Sequence, residues 1–247
     1  MAHVIANDLS LHYQVLETCA ANTEGRDTKV GAKINFEKRS IEALKNISFE
    51  LHEGARLALI GRNGGGKSTL LKVLSGILEP TGGHCEIDGK VSAIFNAGLG
   101  MRNDSTGLKN IQIRCMMGGL NKSQTQDVIE SVIEFAELGS YINLPLRFYS
   151  SGMAMRLNFA LSTAIPAQIL LLDEWIGTGD VAFREKVATR MTSYVNQSNI
   201  LILASHSMDI LRKTCDLALW LEQGEVKAYG SMEEVADTYT AVMMSKK

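Results

Sequence analysis

The run Gly61-Arg62-Asn63-Gly64-Gly65-Gly66-Lys67-Ser68 restricts what this chain can fold into more than any other stretch. It satisfies G-x-x-x-x-G-K-[ST], follows the apolar strand-like segment Arg56 to Ile60, and opens a helical run that ends at Gly76. Glycines let a backbone wrap closely around an anion. The loop amides and the amino end of the helix aim partial positive charge at that anion, and Lys67 adds a full charge. Ser68 offers a hydroxyl to Mg2+, and the cradle extends to Thr69. The reading is a nucleotide site with its phosphates against residues 61–69.

Two further segments supply what a bound triphosphate needs. Ile169-Leu-Leu-Leu-Asp173-Glu174 reads as a buried strand delivering two carboxylates at its carboxyl end, where open α/β sheets place ligands. Asp173 is the expected holder of Mg2+, and Glu174 the expected acceptor of a proton from an attacking water. His206 follows the next apolar run, Ile200 to Ala204, and is expected to face the same crevice and hydrogen-bond the terminal phosphate.

Composition closes off other classes. The 247 residues allow one sizeable core, with 45% hydrophobic and 21% charged residues and no low-complexity tract. A net charge of −2, with both signs interspersed, lacks the cationic surface a phosphate backbone demands, so no nucleic-acid partner is expected. The apolar runs are strand-sized, short of the roughly 18–20 residues needed to cross a bilayer. The first residues show no secretory pattern, and a cytosolic chain is expected. Cys19, Cys85, Cys115 and Cys215 are scattered and read as buried or incidental thiols.

Strands are expected at Val4 to Val15, Ile47 to Leu51 and Arg56 to Ile60, with Glu17 to Ser40 as a long polar loop or insertion. His84 to Asp88 and Val91 to Phe95 are expected to pair as a hairpin about Asp88-Gly89. From about 106 to 164 the pattern is helical, with a capping box at Ser123 and Gln126. Strands return at Ile169 to Leu172, Ile200 to Ala204 and Leu217 to Leu221, and a second capping box opens at Ser231 and Glu234. This alternation argues for a mostly parallel sheet flanked by helices.

Tyr149-Ser-Ser-Gly-Met153 heads a helical run before the acidic strand and resembles the signature of the ABC ATPase family. Gly61-Arg-Asn-Gly, Thr106-Gly-x-x-Asn110-Ile111, Phe135-Ala-Glu-Leu-Gly139 and Gly179-Asp180 with Phe183 and Lys186 are similar to the ATP-binding subunits of bacterial O-antigen and capsular polysaccharide exporters. The resemblance implies an α/β P-loop NTPase fold of the ABC type, with a mostly parallel core, an antiparallel β subdomain and an inserted helical subdomain. It implies residues 1–247 as a single nucleotide-binding domain without an appended carbohydrate-binding domain. It also implies ATP and Mg2+ bound between two copies, with Ser150, Ser151 and Gly152 of one chain approaching the other's γ-phosphate. Asp180 would link the two sites, and Tyr13 would stack on adenine.

A polytopic permease, a lipid-linked polysaccharide and the cytoplasmic face of the bacterial inner membrane complete the expected setting. Departures limit it. Gly65 stands for alanine, which is expected to be harmless; Trp175 stands for proline and Met153 for glutamine. In Phe95 to Arg102 the family's metal-contacting glutamine is absent, leaving Asn96 as the nearest amide. The same motifs are compatible with export of another substrate, with a soluble ABC ATPase acting on nucleic acid or ribosomes, and with a nucleotide-dependent scaffold of negligible turnover.

Overall fold

The computed structural model describes residues 1–14, 33–35, 40–95, 101–174 and 181–245. The described chain divides into two compact units, one of residues 1–93, 168–175 and 198–247, the other of 94–167 and 176–197.

The first unit is built on two sheets. A four-stranded antiparallel sheet has the order β2-β3-β1-β5, from β1 (His3–Gln14), β2 (Lys33–Asn35), β3 (Ser40–His52) and β5 (Gly82–Asp88). A six-stranded sheet runs β10-β9-β4-β8-β7-β6, from β4 (Arg56–Ile60), β6 (Val91–Ile94), β7 (Ile169–Asp173), β8 (Ile200–Ala204), β9 (Leu217–Glu222) and β10 (Glu225–Ser231). Its centre is parallel: β4 lies between β8 and β9, and β7 lies beside β8. Continuous apolar runs suit strands covered on both faces, and Leu57, Leu59, Ile169 to Leu172 and Ile200 to Leu203 are fully buried. Each such side chain contributes about 1.5–3 kcal/mol by leaving water. Helices α1 (Lys67–Leu74), α6 (Met208–Thr214) and α7 (Met232–Ser245) complete the unit.

α1 ends where the glycine pattern places it. Gly76 takes a left-handed φ of 75°, its N–H donates to Val73 O, and Ile77 N–H reaches back to Lys72 O, which satisfies two otherwise orphaned carbonyls. At the start of α7, Ser231 Oγ accepts the Glu234 N–H, one half of the expected capping box.

Three local expectations are corrected. β5 and β6 do not form a hairpin, because they belong to different sheets. β5 bonds to β1, whereas Lys90 bonds to Gln168 and Ile169 at the entry to β7. Asp88-Gly89 therefore supplies a crossing, with Gly89 at φ 130°; the positive φ that suits a tight turn suits this crossing equally. The insertion expected from Glu17 to Ser40 contains β2, whose Ile34 pairs with Ile41, and β3 begins already at Ser40. Bulges around Asp8 and Asn46, both with φ 48°, break the period-two alternation through which the first half of β3 would have been legible. The helix after residue 121 is capped by Asn121 and Gln124 rather than by Ser123 and Gln126, in reciprocal 3.0 Å bonds. Gln126 instead donates to Glu130 one turn on.

The second unit holds α2 (Gly107–Met117), α3 (Lys122–Ala136), α4 (Ser151–Ser162) and α5 (Val181–Gln197), with two short 3-10 turns between α3 and α4. Phe135 packs against Phe159 and Phe183 with ring centroids 5.5 Å apart in each pair. Lys186 and Arg190 lie over the Phe135 ring and Arg156 over Phe183. Lys186 also donates to Phe135 O and Glu137 Oε1, meeting the carboxyl end of α3 with positive charge. Burial pushes the thiols of Cys85 and Cys115 up, and that of Cys215, with Asp216 adding to burial, up to about 12. Cys19 lies outside the described residues.

Asn110 explains a motif that the sequence could only point to. At 4% exposure its Oδ1 accepts Arg102 N–H, and its Nδ2 donates to the carbonyls of Arg102, Ser105 and Thr106. It ties the approach to α2 to the helix itself. Asn110→Ala is expected to lower the unfolding free energy by about 2 kcal/mol, because buried backbone groups lose their partners. Denaturant titration followed by circular dichroism reads this as a lower midpoint.

Candidate functional site

The site is assembled at one rim of the parallel sheet. Ala204, at the end of β8, is the register partner of Leu59 on one side and of Asp173 on the other. The three strand ends therefore bring the 61–66 loop, His206 and the Asp173-Glu174 pair to the same edge, as open parallel sheets do.

The loop curves through Gly61 at φ 145°, Gly64 at 77° and Gly66 at 109°. Arg62, Asn63 and Gly64 are exposed, Gly65 is buried, Ser68 is exposed and Thr69 half-buried. Gly66 caps α1 without any side-chain hydrogen bond, so the amides of the first helical turn have no side-chain acceptor. Lys67 is 8% exposed, and its Nζ donates to Gly61 O at 2.7 Å and Arg62 O at 3.1 Å. Burial lowers the pKa of its ammonium, while Asp173 and Glu174 act in the opposite direction. A buried cation beside uncapped amides is an electrostatic receptor for an anion, and a triphosphate matches it.

Asp173 is half-buried at the end of β7. Glu174 is exposed and takes a left-handed φ of 79°, held by its N–H to Ala204 O at 2.8 Å. A non-glycine residue in that region costs about 1–3 kcal/mol, and the bond to β8 keeps it there. Its carboxylate is held from both sides. Ser205 Oγ donates to Oε2 at 3.4 Å, and His206 Nε2 lies 3.4 Å from Oε1. Ser68 and Asp173 offer one hydroxyl and one carboxylate, a hard-oxygen set that fits Mg2+, which keeps water and takes phosphate oxygens as its other ligands.

The remaining sequence candidates are placed separately. Tyr13 lies on β1 opposite Ile41 with 38% of its surface exposed. In the second unit Ser150 caps α4, its Oγ accepting Met153 N–H at 3.2 Å while its own proton stays available to donate. Ser151 and Gly152 are exposed, and nothing but Ser150 Oγ, at 3.9 Å, lies within 4 Å of where a Gly152 Cβ would be. Asn96 and Asp180 lie outside the described residues, as does Trp175.

Sequence reasoning missed two contributors. Ser205 carries no motif of its own, and only its place beside His206 would have drawn attention to it. Leu221 is invisible as a site residue because it acts through its carbonyl. A Cβ built on Gly61 would lie 2.0 Å from Leu221 O, and one on Gly65 would lie 2.8 Å from it. Gly65 is thus fitted to its neighbour, which gives glycine rather than alanine a steric reason at this position.

Residues 44–177 match the family described as ABC transporter. The chain is 38% identical over 201 residues to the teichoic acids export ATP-binding protein TagH of Listeria monocytogenes serotype 4b (strain F2365), covering 81% of this chain and 60% of that one. It is 37% identical over 229 residues to the O-antigen export system ATP-binding protein RfbE of Yersinia enterocolitica, covering 91% of this chain and 96% of that one. The chain thus spans about three fifths of the length of TagH and nearly all of RfbE. In three dimensions it is similar to a solved ATP-binding subunit of an ABC transporter, with a TM-score of 0.70, 20% identity, and coverage of 96% of this chain and 93% of that one.

Gly61→Ala is expected to abolish saturable ADP binding, since the added methyl group meets a backbone carbonyl that cannot step aside. Equilibrium dialysis against ADP checks it, with Gly82→Ala, where the new Cβ would meet only Ser10 Cβ at 3.7 Å, as the comparison.

Proposed function

The chain belongs to the ABC transporter family, and from that premise we propose that it is the ATP-binding and ATP-hydrolysing subunit of an exporter, driving a lipid-linked polysaccharide of O-antigen or capsule type through a separate membrane permease. One observation carries the catalytic part: Lys67, Asp173, Glu174 and His206 stand at one rim, with Lys67 in electrostatic contact with both carboxylates and Glu174 held by His206. The cargo follows RfbE, because the chain spans 96% of that protein and 60% of TagH.

Each residue then has a task. Residues 61–69 bind the phosphates, with Lys67 leaving its two loop carbonyls for phosphate oxygens. Ser68 and Asp173, with Asn96 as the third candidate from the sequence, would hold Mg2+. Mg2+ would neutralise charge on the phosphates and polarise the bond that breaks. Glu174 accepts a proton from the water that attacks the terminal phosphate, and Ser205 and His206 orient its carboxylate. His206 also reaches the terminal phosphate. Tyr13 stacks on adenine.

Residues 1–247 serve as one nucleotide-binding domain, with the helices between about 106 and 164 as its insert. Two copies pair so that the α4 amino end of one, with Ser150, Ser151 and Gly152, meets the nucleotide of the other, and Asp180 links the two sites. Closing on ATP and opening after hydrolysis moves the permease between states. The work is done at the cytoplasmic face of the membrane. Among the described residues no helix is long and apolar enough to cross a bilayer.

Glu174→Gln is expected to keep ATP affinity and to lose about 10²–10⁴-fold in turnover, accumulating as an ATP-bound dimer in size-exclusion chromatography; turnover near that of the parent removes Glu174 as the base. Lys67→Ala is expected to lose nucleotide binding, and undiminished affinity overturns the cradle. For the cargo, cells lacking the chain are expected to retain lipid-linked polysaccharide inside, and a polytopic membrane protein is expected to copurify with it. Normal surface polysaccharide in those cells overturns the export reading.

A further inference from the structure

We propose that the turn between β9 and β10, at Gln223 and Gly224, is a positioning element for the nucleotide's phosphates, holding the 61–66 loop in its receiving curve from behind. The inference rests on the reading of that loop as the phosphate cradle. It assigns a task to residues that carry no nucleotide motif.

The contacts run the length of the loop. Gly224 N–H donates to Gly65 O at 3.0 Å, so the turn bonds directly to the middle of the glycine run. Gly224 O in turn accepts Lys45 N–H at 2.8 Å, which anchors the turn to β3. Leu221 O presses against Gly61 and Gly65, and a Cβ on Gly66 would stand 3.5 Å from Gly224 Cα and 3.1 Å from Ala43 O. The turn is specific in conformation. Gln223 has φ 52° and Gly224 φ 78°, and a Cβ on Gly224 would meet Ala43 O at 2.6 Å.

The anchor is available because of an irregularity in β3. Leu44 pairs with Leu11 and Ile47 with Leu9, so Lys45 falls in the register shift between them, and its N–H is directed to Gly224. The Lys45 side chain is engaged separately, with Nζ 3.2 Å from Glu225 Oε1, and Lys227 and Lys45 hold that carboxyl down at about 2.

The energetic argument concerns entropy. A loop with four glycines among residues 61–66 has more backbone freedom to lose than one with side chains at those positions. Fixing each residue costs conformational entropy. A loop already fastened through Gly65 to Gly224, and through Gly224 to Lys45, has met that cost during folding, so phosphate contacts appear as affinity. An unfastened loop would charge the cost to the nucleotide.

The test uses the full chain, with ADP and inorganic pyrophosphate as probes in calorimetry and a thermal melt as the control for folding. Lys45→Pro deletes the N–H that reaches Gly224 at a position outside the β1–β3 ladder. Gly224→Ala displaces the turn sterically, and Glu225→Gln removes the carboxylate that pairs with Lys45 and Lys227 while leaving the Lys45 N–H in place. Lys45→Pro and Gly224→Ala are expected to weaken ADP and pyrophosphate by the same factor, about tenfold, while Glu225→Gln binds as the parent does. Should Gly224→Ala fail to fold, the Lys45→Pro and Glu225→Gln comparison decides alone. Lowered melting temperatures with unchanged affinities, or an equal loss in Glu225→Gln, overturn the proposal. A parent chain that binds neither probe overturns the cradle reading itself, and the inference with it.

Discussion

A buried ammonium with carbonyl partners is the interaction on which the rest of this structure turns. Lys67 sits in a place that disfavours its charge, and the chain keeps it there with two loop carbonyls and two carboxylates on a neighbouring strand. Burying such a group solely for stability would be a poor solution, since apolar packing of equal volume does better. Its cost is recovered when an anion arrives. The uncapped amides of α1 lie beside the same charge and are left without a side-chain acceptor for the same reason.

That arrangement requires three strand ends to coincide. β4, β8 and β7 are neighbours in space though far apart in sequence, and Ala204 stands in register with both Leu59 and Asp173. The buried apolar runs of these strands do not act on the ligand. They set the rim to within a fraction of a residue, because a slip by one would turn every side chain to the opposite face. The left-handed backbone at Glu174 belongs to the same account: it is an unfavourable conformation held by a bond to Ala204, and it presents the carboxylate to Ser205 and His206.

The second unit follows a different logic. Its centre is an aromatic trio ringed by Lys186, Arg190 and Arg156, in which cations both stack on rings and close helix ends. Arg190 joins α5 to Thr163, Ala160 and Ser131, so one guanidinium spans three helices. Phe183 and Lys186, legible in the sequence only as points of resemblance, belong to this packing. Asn110, near the start of α2, instead fastens the backbone of residues 102–106 to that helix.

The sequence by itself determined the local chemistry: a glycine-lysine turn between strand and helix, two carboxylates ending an apolar strand, a histidine ending the next, and the alternation that demands a parallel sheet. These are legible because each depends on residues adjacent in the chain and on a single periodicity. Tertiary structure decided what adjacency cannot encode. It separated β5 from β6, which a favourable Asp-Gly turn appeared to join, and it lengthened β3 through bulges that erase alternation. Gly65 was likewise fitted to a carbonyl more than a hundred residues away in the chain. Backbone groups such as Leu221 O and Gly224 N–H have no residue type of their own, so only the fold could assign them a task.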